Sequence, residues 1–361
     1  MTIRLRPHIA TLAHVAHGSI NDAELADLGV NREEILDFSV NTNPLGPPPS
    51  ALNAARSVAW THYPDDRATQ LRRDLAARDQ VDERAVIVAN GSSEIIWLVA
   101  LAFLDPGEAA VIVGPTYGEY ARATRIVGGV VHDYRADPSD GFAVDLSTVV
   151  DLVHSVDGRL VFLCNPNNPT GTLLSADDIR TLSQAVPRAM VVVDEAYRPF
   201  VDDPPPTTPL LDRGNVILLR SLTKDCALAG LRLGYALAPP DICAALDNVR
   251  PPWSVNAVAQ AAGLAAIGDE AHLERARAEV RQARVYLTAA LSGLGFRVLP
   301  SSANYLLVEV GNAAAVRARL LEHGVCVRDC TSFGLPEYVR IGMRPIADCQ
   351  QLIAAFTKID D

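Results

Sequence analysis

Lysine is scarce in this chain. Of its 32 cationic residues only two are lysines, Lys224 and Lys358, and all the others are arginines. Either type serves as a surface charge, but only a lysine amine readily loses its proton and attacks a carbonyl, because the guanidinium group stays protonated. Lys224 lies in mid-chain, in the stretch RSLTKDCALAGLR at 220–232. It is therefore either a leftover surface charge or an amine nucleophile.

Residues around this lysine could hold an anion. Ser221 and Thr223 flank Lys224, and Arg232 follows eight residues later. Two hydroxyls and a guanidinium group can bind a phosphate. The stretch ANGSSEII at 89–96 offers a second anion site, because Ser92 and Ser93 stand where a strand gives way to a helix N-terminus. An ordinary helix N-cap is the alternative interpretation of those two serines.

Two further stretches place polar side chains directly after apolar strands. NPNNPTG at 165–171 puts Asn168 at the carboxyl end of a strand, where open α/β sheets bind ligands. VVVDEAY at 191–197 ends a buried strand with Asp194 and places Tyr197 three residues later. A buried carboxylate without a partner is costly, so we expect a cationic or protonated partner for Asp194.

Together these stretches match the requirements of pyridoxal 5′-phosphate. This cofactor needs an amine for a Schiff base, an acid that keeps its pyridine nitrogen protonated, a donor to its phenolic oxygen and a socket for its phosphate. A nicotinamide cofactor is disfavoured, because no strand is followed by G-x-G-x-x-G and no G-x-x-x-x-G-K-[ST] occurs.

The elements that must position these residues are short apolar runs alternating with amphipathic stretches. Strands are predicted at 85–89, 109–113, 160–164, 190–194, 216–220 and 234–238. Continuous apolar strands of this kind indicate a mostly parallel sheet covered on both faces, so the fold class is α/β with a three-layer α/β/α large domain. The segment 64–79 is predicted to form an exposed helix.

The sequence pattern changes after residue 250, and this change predicts a second domain. A long helical stretch at 269–295 leads to an alternating strand, ANYLLVEV, and to further helices near 313–323 and from about 346. We therefore expect an N-terminal arm at 1–35, a large cofactor-binding domain at 36–250 and a smaller C-terminal α/β domain at 251–361.

Composition excludes several other classes. The net charge is −11 and no basic run occurs, which argues against a nucleic-acid partner. The six cysteines are scattered without C-x-x-C or zinc-finger spacing, so we expect reduced thiols, no metal and a cytoplasmic protein. No signal peptide and no apolar run of membrane-spanning length is found, so no membrane association is expected.

The order of these motifs resembles a known family. NPNNPTG, DEAY and then SLTK…LAGLRLGY is similar to the fold-type-I pyridoxal-phosphate enzymes of the class I/II aminotransferase family, in particular to the histidinol-phosphate aminotransferase branch. The resemblance runs from LDFSVNTNPLGPP at 36–48 to YVRIGMRP near the C-terminus. HGSIND at 17–22 also resembles the N-terminus of threonine-phosphate decarboxylases of cobalamin synthesis, although His17-Gly18-Ser19-Ile20 replaces their His-Gly-Gly-Asn.

The resemblance implies a role for each cofactor residue. Lys224 would form the Schiff base and shuttle the proton, and Asp194 would pair with the pyridine nitrogen. Tyr197 and Asn168 would hydrogen-bond the phenolic oxygen. The phosphate would be bound by Ser92, Ser93, Ser221, Thr223 and Arg232, and Tyr117 would stack on the ring, although Tyr117 could instead be a core aromatic.

The resemblance also implies substrate and subunit contacts. Arg340 and Arg328 would bind a carboxylate or a substrate phosphate, next to Asn168, and His17 is a further candidate that could equally be a solvated loop residue. Arg344 is as easily explained as a surface charge. Tyr63 would reach the phosphate of a neighbouring subunit, which implies a homodimer with shared active sites, although Tyr63 could instead be an exposed loop tyrosine. The expected reaction is transamination between an amino substrate and a 2-oxo acid, and decarboxylation of threonine phosphate is the alternative.

Overall fold

The computed structural model describes residues 6–10, 12, 20, 24–25 and 31–360. Its strands, labelled in chain order, are β1 Leu36–Asp37, β2 Val86–Ala89, β3 Ala109–Gly114, β4 Val130–Arg135, β5 Leu160–Cys164, β6 Met190–Asp194, β7 Val216–Ser221, β8 Gly234–Leu237, β9 Arg297–Val298, β10 Tyr305–Glu309, β11 Val325–Cys326, β12 Arg328–Asp329 and β13 Tyr338–Gly342. Its α-helices with defined ends are Pro7–Ala10, Pro49–Arg56, Thr69–Asp79, Ser92–Phe103, Glu119–Ile126, Leu146–Ser155, Ala176–Ala185, Pro240–Val249, Ala257–Ile267, Glu270–Gly293, Ala313–Glu322 and Ile346–Asp360.

The large sheet has seven strands in the order β2-β8-β7-β6-β5-β3-β4. Strands β3 to β7 are parallel to one another, whereas β8 runs antiparallel to both β7 and β2. The predicted mostly parallel sheet is therefore confirmed. Among the strands of the large sheet, only β4 was not predicted, because this edge strand is partly exposed and lacks a continuous apolar run.

Both faces of the large sheet are covered, as its apolar strands require. Along β6, Val191 and Val193 enter one core, and Val192 enters the core on the opposite face. The first core, called here the front core, includes side chains of helices Thr69–Asp79, Leu146–Ser155, Ala176–Ala185 and Ala257–Ile267. The second, the back core, includes side chains of helices Ser92–Phe103, Glu119–Ile126 and Pro240–Val249. The three-layer α/β/α arrangement follows.

The prediction of an exposed helix at 64–79 is wrong in two respects. The helix begins at Thr69, and it buries Leu71 and Leu75 in the front core. The four-residue spacing of these leucines places them on one helix face, and that face packs although the rest of the helix is polar.

The second sheet has the order β12-β13-β10-β9 and is antiparallel. Helices Glu270–Gly293, Ala313–Glu322 and Ile346–Asp360 share its apolar core, and all three agree with the sequence-based predictions. The domain boundaries stay a prediction. Contacts cross them: for example, helix Ala257–Ile267 packs in the front core, and β1 pairs with β11. In the described part of the chain, no helix combines the length and apolar character needed to span a membrane.

Candidate active site

The predicted site residues meet where β5, β6 and β7 end. An inner cavity of about 110 Å³ is lined by Ser92, Ser93, Tyr117, Tyr120, Cys164, Asn168, Asp194, Ala196, Tyr197, Ser221, Thr223, Lys224 and Arg232. An outer cavity of about 450 Å³ shares several of these residues and adds Asn41, Glu119, Arg328 and Arg340 among its lining. The carboxyl edge of the parallel strands thus forms the floor, and the small sheet supplies the arginines opposite it.

Lys224 lies in the turn that follows β7 and is half-buried. Its Nζ is 5.7 Å from the centre of the Tyr197 ring. Burial lowers the pKa of the amine to about 8, with further lowering by the charges of Arg340 and Arg232 and an opposing effect of Asp194. A substantial fraction of the amine is therefore neutral near pH 8, which a nucleophilic lysine requires.

Asp194 is buried at the end of β6, and neutral groups donate to both of its carboxylate oxygens. The Tyr120 hydroxyl donates to Oδ2 at 2.8 Å, and the backbone N–H of Ala196 donates to Oδ1 at 3.0 Å. Burial raises the pKa of Asp194, while these hydrogen bonds and the charge of Lys224 oppose the rise. The cationic partner expected for Asp194 is thus Lys224, whose charge acts on it without a direct hydrogen bond. The groups that do hydrogen-bond to Asp194 are neutral donors.

Asn168 and Tyr197 form one wall of both cavities. Arg340 of β13 donates to Oδ1 of Asn168 and, at 2.7 Å, to the backbone oxygen of Ser39. The Asn168 amide nitrogen is therefore the end that can donate to a ligand. Burial raises the pKa of the Tyr197 phenol, with an opposing effect of Arg340, so that Tyr197 is a neutral donor at physiological pH.

A group of hydroxyl, amide and guanidinium donors lies at the start of helix Ser92–Phe103. Ser221 and Thr223 hydroxyls are 2.6 Å apart, and Arg232 Nη2 lies 3.5 Å from the Ser93 hydroxyl. Gly234 is required here, because a Cβ at that position would lie 2.4 Å from the Ser92 backbone nitrogen. The close approach of β8 to the helix N-terminus brings these donors together at a position suited to one small anion.

Tyr117 lies between this anion socket and Asp194. Its half-buried ring meets the Tyr120 ring edge to face, with centres 5.7 Å apart and planes at 84°. Burial raises the pKa of its phenol, which a hydrogen bond with Ser93 opposes. An aromatic face beside a buried acid, an amine with a lowered pKa and an anion socket fits the ring, nitrogen, aldehyde and phosphate of pyridoxal 5′-phosphate.

Arg328 and Arg340 are paired directly across β12 and β13 in the outer cavity. Arg328 Nη2 donates to the Ser332 hydroxyl at 2.7 Å, and its guanidinium carbon lies 5.6 Å from the centre of the Phe333 ring. Burial and the charge of Arg340 lower the pKa of Arg328. Two neighbouring guanidinium groups repel one another, so they favour an anion bound between them.

Three predicted residues lie away from this assembly or outside the description. Tyr63 is 80% exposed and stacks on Trp253 with ring centres 4.6 Å apart, and it lines neither cavity. Arg344 pairs with Asp348 at 2.8 Å, as the surface-charge interpretation expects. His17 lies outside the described residues.

Sequence reasoning missed Tyr120, Tyr305 and Asn41. Tyr305 packs edge to face on Tyr197 with centres 5.0 Å apart and lies under Arg340. Asn41 is buried and lines the outer cavity, and its stretch, LDFSVNTNPLGPP, was a usable signal. Tyr120 had no local signal, because its contact with Asp194 joins residues 74 positions apart.

Comparisons with known proteins agree with this site. The family described as aminotransferase class I and II matches residues 33–356. A histidinol-phosphate aminotransferase of Symbiobacterium thermophilum is 40% identical over 87% of each chain, and one of Haloarcula marismortui is 36% identical over 92% of each chain. The crystal structure of histidinol-phosphate aminotransferase from Sinorhizobium meliloti in complex with pyridoxal 5′-phosphate superposes with a TM-score of 0.89 at 25% identity, and the match covers 99% of this chain and 98% of that one.

Proposed function

Since this chain belongs to the aminotransferase class I and II family and is a pyridoxal-phosphate-dependent transaminase, we propose that its amino substrate carries a phosphate, as histidinol phosphate does. The observation that carries this proposal is the pair Arg328 and Arg340 in the outer cavity, opposite the lysine. A guanidinium pair suits a doubly charged phosphate better than a single carboxylate. The similar proteins from Symbiobacterium thermophilum and Haloarcula marismortui are histidinol-phosphate aminotransferases, which supports the same substrate class.

We assign the proton-handling roles to residues of the inner cavity. When bound, pyridoxal 5′-phosphate supplies an aldehyde that captures amines and a ring that withdraws electrons from the substrate Cα. Lys224 would bond to that aldehyde and, once substrate has displaced it, move the proton at Cα. Asp194 would hold negative charge opposite the ring nitrogen, and Tyr197 and Asn168 would donate to the phenolic oxygen.

The remaining assigned residues orient the cofactor. The Ser92 and Ser93 backbone, the Ser221 and Thr223 hydroxyls and Arg232 would hold its phosphate, and Tyr117 would stack on its ring. All of these donors except Arg232 are buried or half-buried, so their positions are fixed by packing before any ligand arrives. That rigidity would keep the substrate Cα within reach of Lys224.

Arg328 and Arg340 would select the substrate through its phosphate. When both guanidinium groups hold the phosphate, the reaction depends on which bond of the substrate Cα stands perpendicular to the cofactor ring, because that bond is the one that breaks. An amine without a carboxylate, such as histidinol phosphate, presents a Cα–H bond to Lys224, so transamination follows. A phosphorylated amino acid could instead present its carboxylate, which would leave as carbon dioxide.

Product analysis tests this proposal. Purified protein loaded with pyridoxal phosphate is incubated with histidinol phosphate, phosphoserine or threonine phosphate, each with and without 2-oxoglutarate. We expect glutamate to form from histidinol phosphate in the presence of the keto acid. Carbon dioxide and aminopropanol phosphate from threonine phosphate, without a keto acid, would replace the proposal by the decarboxylase. A preference for unphosphorylated aromatic amino acids would contradict the role of Arg328.

We also propose a homodimer in which Tyr63 acts on the partner's site. Trp60 and Tyr63 are more than three-quarters exposed, at 82% and 80%, and Trp253 lies against Tyr63, so a sizeable aromatic surface faces outward. Mixing Tyr63→Phe protein with Lys224→Ala protein should restore part of the activity, because one hybrid site carries neither change. No recovery after proven subunit exchange would contradict shared sites.

We also propose that the protein is cytoplasmic, in keeping with its six free cysteines. Cell fractionation tests this location.

A further inference from the structure

Tyr120 is held rigidly below the inner cavity. It is 1% exposed, and its ring stacks on Phe162 with centres 5.2 Å apart and planes at 8°. Its edge meets the Tyr117 ring, and its hydroxyl donates to Asp194 Oδ2 at 2.8 Å. One side chain therefore contacts both the acid assigned to the ring nitrogen and the aromatic assigned to the ring face.

The donors around Asp194 leave room for one more. A carboxylate offers about four lone-pair positions on two oxygens. Tyr120 and the Ala196 N–H each occupy one of them, on different oxygens. A protonated ring nitrogen arriving from the cavity would meet a carboxylate whose orientation is already fixed by these two donors.

We propose that Tyr120 is a positioning residue for the transamination, which turns the Asp194 carboxylate toward the cofactor and keeps it ionised. This proposal rests on the proposed function, because it needs pyridoxal phosphate in the inner cavity. The physical reason is that a hydrogen bond donated to a carboxylate stabilises its charged form. An ionised Asp194 leaves the proton on the ring nitrogen, where it is needed for electron withdrawal.

The other charged and titratable groups near Asp194 cannot supply this effect. Those acting on Asp194, or acted on by it, are Cys164 of β5, Tyr117, Glu195, Tyr197, Lys224 and Tyr305. Burial raises the pKa of Cys164, and Glu195 raises the pKa of Asp194. The positive charge of Lys224 would also stabilise the ionised carboxylate, but the Lys224 amine would be bonded to the cofactor. The pKa of Tyr120 itself is raised well above its usual range, so its hydroxyl remains a donor.

The experiment compares two buried tyrosines, each of which donates a hydrogen bond to an aspartate. Tyr120→Phe removes the hydroxyl that donates to Asp194. Tyr235→Phe is the matched control, because Tyr235 is also 1% exposed and donates to an aspartate, Asp79, at 2.8 Å. Tyr235 packs in the front core, on the opposite face of the sheet from Tyr120. Each protein is loaded with pyridoxal phosphate. We measure the pH midpoint of the cofactor absorbance change, kcat and the thermal midpoint.

We expect Tyr120→Phe to raise the absorbance midpoint by about one pH unit and to lower kcat roughly tenfold, the size of one hydrogen bond to a charged group. Tyr235→Phe should leave the absorbance midpoint unchanged, whatever it does to thermal stability. In the Asp194→Asn background, Tyr120→Phe should have no further effect on either quantity. Fluorotyrosine at position 120, which is a stronger donor, should move the midpoint down.

Each opposite result would overturn the proposal. These are an unchanged midpoint and kcat in Tyr120→Phe, an equal shift in Tyr235→Phe, or full additivity with Asp194→Asn. If Tyr120→Phe does not fold, the fluorotyrosine protein still decides, since no downward shift there contradicts the role. Failure of the wild-type protein to bind pyridoxal phosphate is a separate outcome, because it would refute the proposed function before Tyr120 is tested.

Discussion

Asp194 is buried and Asp79 is half-buried, and each accepts a hydrogen bond of 2.8 Å from a buried tyrosine. Their other partners differ. Asp79 is paired with Arg220 at 2.6 Å and lies 3.7 Å from Arg78. Asp194 receives a backbone N–H instead of a guanidinium group. The charge of Asp79 is thus neutralised within the fold, whereas Asp194 can still pair with a cationic ligand.

Strand alternation explains how both environments fit at one edge. Asp194 and Ser221 face the cavity, and their chain neighbours Glu195 and Arg220 face the opposite side, where Arg220 Nε and Glu195 Oε2 are 2.9 Å apart. Because successive side chains of a strand point to opposite faces, Asp194 and Ser221 each have an ion-paired neighbour on the opposite side. We infer that the cavity face carries the chemistry and that the ion-paired face supports the strand ends.

The largest expected effect that separates the two faces is on turnover. Asp194→Asn should keep the fold and bind pyridoxal phosphate but lose activity roughly 100-fold or more, because a neutral amide cannot hold a charged ring nitrogen. Steady-state rates per bound cofactor check this. Turnover equal to that of the wild-type protein would show that the two aspartates do not differ as described.

The converse change should affect stability instead. Asp79→Asn removes one of the carboxylates that balance Arg220 and Arg78, while Glu195 stays on Arg220, so we expect a loss of about 1.5–3 kcal/mol, the size of a hydrogen bond to a charged group. We expect urea unfolding to show this loss, while kcat per bound cofactor stays within about tenfold, since distant sites act nearly independently. A loss of kcat as large as that of Asp194→Asn would remove the distinction between the faces.

A smaller effect is expected in the pH dependence of cofactor uptake. With the pKa of Lys224 at about 8, the neutral amine fraction rises about tenfold per pH unit below 8 and levels off above it. The rate at which cofactor-free protein binds pyridoxal phosphate should follow this curve. Asp194→Asn should move the midpoint to lower pH, because it removes the attraction that raises the lysine pKa. Asp79→Asn should not, and an equal shift in both variants would contradict the comparison.

Sequence patterns predicted most of the cavity face but little of what lies behind it. Lys224, Asp194 and Asn168 stand immediately after apolar strands, and parallel strands bring such positions together at one edge. The Tyr120–Asp194 and Asp79–Arg220 contacts each join residues far apart in the chain. No local sequence pattern predicts which of these polar side chains meet. Tyr63 is exposed and lines neither cavity of its own chain, so its role in a partner's site stays a proposal.

The most direct test of the account is to fix the cofactor to the protein and find where it is attached. The chain has only two lysines, so the result is unambiguous. Protein loaded with pyridoxal phosphate is reduced with borohydride and digested, and the peptides are weighed. We expect one cofactor per chain on Lys224, none on Lys358, and no attachment in Lys224→Ala. Attachment at Lys358, or none at Lys224 in protein that turns over substrate, would contradict it.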